Sequence, residues 1–173
     1  MSVTNAIARA RAVREFADRP LADAHLSAIL DAGRRAGSSK NLQRRAFIVC
    51  RDRAHLQELA AVGPWADHLA GAAVGVALVV PDPRLPGAPM SILFDLGRAA
   101  QNMTLAAWEL GVGSVPATVY EHDLARRLLG YPADMHCEYL LSFGYPADPS
   151  VLGDPPRAGG RRTLGELVHE ERW

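Results

Sequence analysis

Apolar positions along the 173 residues fall into two rhythms. A three-to-four-residue spacing runs through LADAHLSAILDAGRRAG (21–37), where Leu26, Ile29, Leu30 and Gly33 share a stripe; it predicts an amphipathic helix ending near Gly37. The same spacing over roughly 90–110 gathers Ile92, Leu96, Ala99, Ala100, Met103, Ala106, Ala107 and Leu110, with Asp95, Arg98, Asn102 and Glu109 opposite. That is the longest predicted helix, and its alanines would let a neighbouring helix come close. Shorter helices are predicted over 4–13 with Thr4 as cap, over 53–62, near 65–71 and over 121–129. Near-continuous apolar runs predict strands in AFIVC (46–50), VGVALVV (74–80) and CEYLLSFGYP (137–146), the second covered on both faces. In GVGSVPAT (111–118) a glycine stop, Gly111 with Gly113, precedes a short strand.

This mixed order, without internal repeats, predicts one domain over 1–173 with a core of its own. The Pro- and Gly-rich stretch 147–173 cannot form a core and ends in RRTLGELVHEERW, a short amphipathic piece that is expected to pack on its own body or on a partner subunit. Composition adds little: 49% hydrophobic and 22% charged residues are ordinary for a globular chain. The formal net charge of zero gives no electrostatic reason to expect nucleic acid or an anionic membrane. The longest apolar run, AGAAVGVALVV (70–80), is too short to cross a bilayer. The N-terminus lacks an apolar stretch of signal-peptide length, so the expected location is the cytoplasm, with Cys50 and Cys137 as free, buried thiols.

Several chemistries find no motif. There is no GxxxxGK[ST] phosphate loop, and GVGSVP (111–116) follows a helix and precedes a strand, the reverse of a Rossmann turn. The six histidines show no HxxxH pair or Cys/His cluster, so a metal site has little support from spacing. No GxSxG elbow occurs, and neither cysteine has a neighbouring cation to mark a nucleophile.

What remains is arginine. RARAVR (9–14), SSKNLQRR (38–45) and GGRRT (159–163) each sit at a junction between elements, where function gathers more often than in element interiors. Solvated surface arginines are the plain alternative in a chain whose single lysine is Lys40. With a helix running to residue 13, Arg11 and Arg14 would share a face and could fork onto one phosphate. Ser38, Ser39, Asn41 and Gln43 are short neutral donors and acceptors, suited to a ring with several carbonyls and nitrogens. A mononucleotide with a polar heterocycle needs both kinds of group.

RARAVREFADRPL, ILDAGRRAGSSKNLQRRAFIVCRD, DLGRAAQNMTLAAWELGVGSVP, LLSFGYP and RRTLGELVHEERW, in this order and spacing, resemble the nitroreductase family of FMN-dependent oxidoreductases, from about residue 8 to the end. The resemblance implies an α+β fold: a three-layer α/β/α arrangement around a central mixed, mainly antiparallel sheet, in an intertwined homodimer with FMN at the subunit interface. Helix 90–110 would lie in the dimer core, and 147–173 would pack on the partner. Arg11 and Arg14 would hold the FMN phosphate or ribityl chain, with Arg161 and Arg162 from the tail. Ser38, Ser39 and Asn41 would reach the flavin from the other subunit, Gln43 supporting their loop. The backbone around Ala117, Thr118 and Val119 would face flavin N5. Hydride would pass from NAD(P)H to N5 and on to an electron-poor acceptor such as a quinone or nitroaromatic, by a ping-pong mechanism without a protein acid or base.

The chain departs from the family in places. Ala10 and Ala12 stand at the first and third places of a frequent Arg-Arg-Ser, which leaves one phosphate contact fewer or moves it to Arg9. Ala36-Gly37-Ser38 and Gln43-Arg44-Arg45 replace Ala-Pro-Ser and Gln-Pro-Trp, and Arg44 and Arg45 have no assigned role. Residues 81–91 are short where larger members insert a lid, which implies an open pocket. Other flavin chemistry on the same scaffold (dehydrogenation or ring cleavage), a non-enzymatic FMN-binding or storage protein, and a dimeric interaction protein remain as alternatives.

Overall fold

Four apolar runs pair into one sheet. β1 (Ala46–Cys50), β2 (Val74–Pro81), β3 (Gly113–Thr118) and β4 (Met135–Gly144) lie in the order β1-β2-β4-β3, every pair antiparallel. The structure, a computed structural model, describes residues 2–155, 159 and 161–173; Gly160 of the GGRRT segment lies outside the described residues. A parallel element enters at one place, a single bridge between Ala12 and Ser114.

Among the described residues there are six α-helices: α1 (Val3–Arg9), α2 (Asp23–Arg34), α3 (Arg53–Leu59), α4 (His68–Gly71), α5 (Ser91–Glu109) and α6 (His122–Leu129). They divide between the two faces of the sheet. Leu56, Leu59, Val62, Leu69 and Ala125 close on Cys50, Ala77, Val79, Ala117 and Leu140 on one face. On the other, Leu26 and Ile29 of α2 and Leu96, Met103 and Ala107 of α5 cover Val74, Val76, Leu78, Leu141 and Phe143. β2 is thus buried on both sides, the reason its sequence is apolar without alternation.

β4 carries one irregularity. Leu78 pairs with Tyr139 and Val79 with Cys137, so Glu138 is an extra residue opposite the β2 ladder. The bulge reverses the strand's alternation. Leu140 and Cys137 both face the α3/α6 side, which an unbroken two-residue period forbids for residues three apart.

The N-terminal helix is shorter than its pattern predicts. It ends at Arg9, and Ser2 rather than Thr4 caps it, Ser2 Oγ accepting from Asn5 N–H at 3.2 Å. Residues beyond Ala10 run extended, with Val13 N–H donating to Ser114 O at 3.0 Å and Phe16 bridging Pro146. The sheet edge offers this segment backbone partners that a lengthened helix would forgo. Gly113 makes the docking fit: a Cβ built there would stand 2.7 Å from Val13 Cβ. Gly113 is therefore a docking point and not a helix stop; Gly111, with φ of 72°, ends α5.

Candidate functional site

The extended N-terminus forms one wall of a cavity of about 690 Å³, lined by Arg11, Ala12, Val13, Arg14 and Glu15 and, opposite, by Pro146, Asp148, Val151, Asp154 and Pro155. In an extended segment residues three apart leave on opposite sides, so Arg11 and Arg14 do not form the shared helical face that their spacing suggests. Their surroundings differ accordingly. Arg11 donates to Asp154 O at 2.8 Å and Pro155 O at 3.0 Å, ion-pairs with the Asp154 carboxylate at 3.6 Å and lies 5.9 Å from the centre of the Trp108 ring. Arg9 donates to Gly153 O at 2.9 Å. Both guanidinium groups strap the chain after β4 against the N-terminus. Arg14 is exposed and, among the described residues, makes no hydrogen bond or ion pair. Burial lowers the pKa of His68, and the Arg14 charge lowers it further. His68 Nδ1 meets Ser142 Oγ at 2.7 Å.

The loop after α2 explains part of its own decoration. Lys40, Asn41 and Gln43 all adopt positive φ, 51°, 55° and 50°. For residues other than glycine this costs about 1–2 kcal/mol each, with asparagine the most tolerant. Side chains offset that strain. Ser38 Oγ accepts from Gln43 N–H at 2.9 Å, and Ser39 N–H donates to Asp95 Oδ2 of α5 at 2.8 Å. Arg45 donates to Arg34 O at 2.8 Å and Ala36 O at 2.5 Å, capping the open end of α2; this is the role its sequence context concealed. Nothing in the structure explains Arg44. The Ser39 and Asn41 side chains project without partners among the described residues.

β3 is an edge strand, and its register shows which amides are free. Val119 N–H donates to Glu138 O at 2.9 Å, so Ala117, two residues earlier, also turns its N–H toward β4. Thr118, between them, directs its N–H to the open edge. Pro116 occupies an outward position too, where a missing N–H costs no ladder bond. Ala117 itself is buried in the core, while Thr118 is half-exposed.

The structure thus gathers Arg11, Ala12 and Arg14 around one cavity. It places Ser38, Ser39, Asn41 and Gln43 in a separate loop against α5, and that loop does not line the cavity. Arg161 and Arg162 lie in a terminal segment, 161–173, of which every residue is exposed; neither has a hydrogen bond or ion pair among the described residues. Asp95, Trp108 and Asp154, which fix these groups, were not legible as such in the sequence, because each acts on a residue tens of positions away. The donor set nonetheless suits FMN. Arg14, Arg161 and Arg162 are uncommitted cations for a phosphate, and Ser39, Asn41 and the Thr118 N–H are uncommitted groups for a polar heterocycle.

Comparison with known proteins agrees with this chemistry. The nitroreductase family profile matches residues 7–145. A protein of Archaeoglobus fulgidus described as an NADH dehydrogenase/NAD(P)H nitroreductase is 32% identical over 168 residues, covering 94% of each chain. The oxygen-insensitive NADPH nitroreductase of Salmonella typhimurium is 30% identical over 94% of this chain and 71% of its own. A Desulfovibrio desulfuricans protein described as a nitroreductase, solved in complex with FMN, superposes with a TM-score of 0.81 at 29% identity, covering 100% of this chain and 98% of that one. With a profile match over most of its length and relatives of this identity and coverage, the chain belongs to the nitroreductase family.

Proposed function

We propose that the chain works as a homodimer in which Arg14 of one subunit and the 38–43 loop of the other hold one FMN between them. As a nitroreductase-family member the chain is an NAD(P)H-dependent flavin oxidoreductase with FMN as cofactor. The observation that carries the dimeric reading is the separation within one chain: the arginine cavity and the Ser39/Asn41 loop each offer unpartnered groups, and they do not meet. In this reading the tail from residue 161 lies across the partner, bringing Arg161 and Arg162 to its phosphate, while residues 147 and 153–155 stay bonded to the subunit's own N-terminal segment. The exposure of Leu164, Leu167, Val168 and Trp173 supports that placement. Cytoplasmic residence belongs to the same reading, supported by two free, buried thiols; no described helix is long and apolar enough to cross a membrane.

FMN bound by these residues would supply hydride chemistry between NAD(P)H and an electron-poor acceptor, a quinone or nitroaromatic, in a ping-pong order. The protein's part is to bind and orient. Arg14 meets the phosphate, while Arg9 and Arg11, already committed to residues 153–155, keep the cavity wall in place. Thr118 N–H is the edge donor for N5, where charge changes as hydride arrives and leaves. No side chain of the site is required as acid or base.

Complementation tests the reading. Arg14→Ala and Asn41→Ala homodimers are each expected to lose FMN absorbance. A heterodimer of the two variants contains one site with both groups intact and is expected to bind one FMN, bleached by anaerobic NAD(P)H. A heterodimer that stays colourless overturns the shared site. Flavin that binds but does not bleach would instead point to a storage protein.

A further inference from the structure

We propose that His122, His136 and Glu138 form a binding site for a divalent transition-metal ion, Zn²⁺ in the first place. The site is separate from the flavin contacts and its test does not depend on them. The three residues come from two elements: His122 begins α6, and His136 and Glu138 stand two apart on β4, across the bulge. Each offers a ligand atom, and these atoms all lie within 4.8 Å of one another. His136 Nε2 is 2.8 Å and His122 Nε2 3.9 Å from the same oxygen, Glu138 Oε2, and the two imidazole centres are 4.8 Å apart.

A hydrogen-bonded pair accounts for His136 and Glu138 but not for His122. The His122 Nε2 sits beyond hydrogen-bond range of the shared oxygen, and its Nδ1 is buried without a partner among the described residues. The His122 side chain keeps 31% of its surface exposed, so its Nε2 can still exchange water for a ligand. An ion between the three groups would take His122 Nε2 as a ligand and hold all three side chains at once. Tetrahedral coordination with bonds of about 2.0–2.1 Å sets ligand atoms roughly 3.3–3.4 Å apart. The 2.8 Å pair would open by about half an ångström, the 3.9 Å pair would close by as much, and the widest separation, 4.8 Å, would close by about 1.4 Å, which a turn of the part-exposed His122 ring about its side-chain torsions supplies.

The surroundings favour this use of Glu138. Arg84, whose charge feels Glu138, is held bidentate by Asp82 at 2.9 and 2.8 Å and, among the described residues, makes no hydrogen bond to the Glu138 carboxylate. His136 is 97% buried, which fixes one ligand firmly, and His136 and Glu138 also line a cavity of about 600 Å³ that gives an ion a way in and a fourth position for water. Two imidazoles and one carboxylate select Zn²⁺ and its transition-metal neighbours over Mg²⁺ or Ca²⁺, which take oxygen ligands. The bulge at Glu138 is the structural device: an extra residue re-aims the strand where the cluster forms. Occupancy would tie the start of α6 to β4. A histidine scan for HxxxH misses such a site, because its ligands are an H-x-E pair on a strand and a helix residue contributed from 14 positions before it.

The test uses the full-length FMN-loaded protein, freed of metal with EDTA and titrated with ZnCl₂ by calorimetry. One Zn²⁺ per chain is expected, with a higher melting temperature for the loaded form. Co²⁺ as an optical substitute is expected to give the visible bands of a four-coordinate site. His122→Ala and Glu138→Gln should each weaken Zn²⁺ binding by about 100-fold or more, beyond what loss of an outer-shell partner costs. Circular dichroism and bound flavin report whether the variants fold. Independently of any variant, Zn²⁺ should protect His122 of the wild-type chain from diethyl pyrocarbonate, read by mass spectrometry. Absence of stoichiometric binding, binding unchanged in folded variants, or a His122 that reacts equally with and without Zn²⁺ overturns the proposal.

Discussion

The two faces of the sheet are finished to different degrees. On the α3/α4/α6 face the apolar side chains close on one another, and Leu56, Leu59, Val62 and Leu69 keep at most 1% of their surface exposed. On the other face α5 buries Leu96, Met103 and Ala107 inward yet presents Phe94 at 68% exposure outward, with Met90 just before the helix at 86%. The first face is complete within one chain. The second leaves Met90, Leu93 and Phe94 exposed, apolar groups that the proposed dimer would cover. The lesson is that both faces hold the subunit together, but only the α5 side also carries large apolar groups on its outer surface, which is what the proposed dimer would use.

Breaking the closed face should have the largest effect. Leu59→Ala removes a fully buried side chain and is expected to cost about 2–5 kcal/mol in chemical denaturation, with or without dimerisation. At the open edge, Thr118→Pro deletes one N–H that the sheet ladder does not use. Stability should change little, while hydride transfer at saturating NAD(P)H should slow by about 10²-fold, the loss usual for a single preorganised donor. Unchanged stopped-flow rates would remove Thr118 from the site. Phe94→Ala leaves the subunit's own core untouched and is expected to weaken self-association by about tenfold in analytical ultracentrifugation, since it deletes apolar area that a partner would bury. A dimer indifferent to it would place the interface elsewhere.

The smallest effect is electrostatic. Arg84 beside Asp82 holds that carboxyl well below its ordinary value of 3.8, against the opposing effect of burial. A carboxyl with a depressed folded pKa contributes stability that is present above the unfolded value and lost as pH falls toward the folded one. Asp82→Asn should therefore reduce stability by about 1–3 kcal/mol at pH 7 and flatten its decline below pH 4 in urea titrations. Parallel curves for variant and wild type would show that other groups govern acid unfolding.

The elements were largely legible. The strand at 46–50 and the long helix near 90–110 follow directly from residue periodicity, because burial of one stripe or face leaves its mark at every turn. The same rule overextended the first helix. RARAVR has helix-forming residues, but the edge of β3 offers Ala12 and Val13 backbone partners and residues 145–146 offer them to Phe16 and Ala17, and local pattern says nothing about a partner a hundred residues away. The site divides in the same manner. The loop 38–45 stood out in sequence for its surplus of donors, yet the structure assigns Ser38 and Arg45 to holding the loop itself and leaves Ser39 and Asn41 to face outward.

By itself the sequence determined the kinds of layer, the family and the residue types available to hold a phosphate and a flavin, since these depend on composition and on spacing along the chain. Tertiary structure alone decided which arginines are spent on carbonyls and which stay free, which amide of β3 turns outward, and that His122 lands beside His136 and Glu138. Those outcomes depend on sheet register and on a one-residue bulge. Both are settled by pairing between distant segments, for which no local stretch of sequence carries the information.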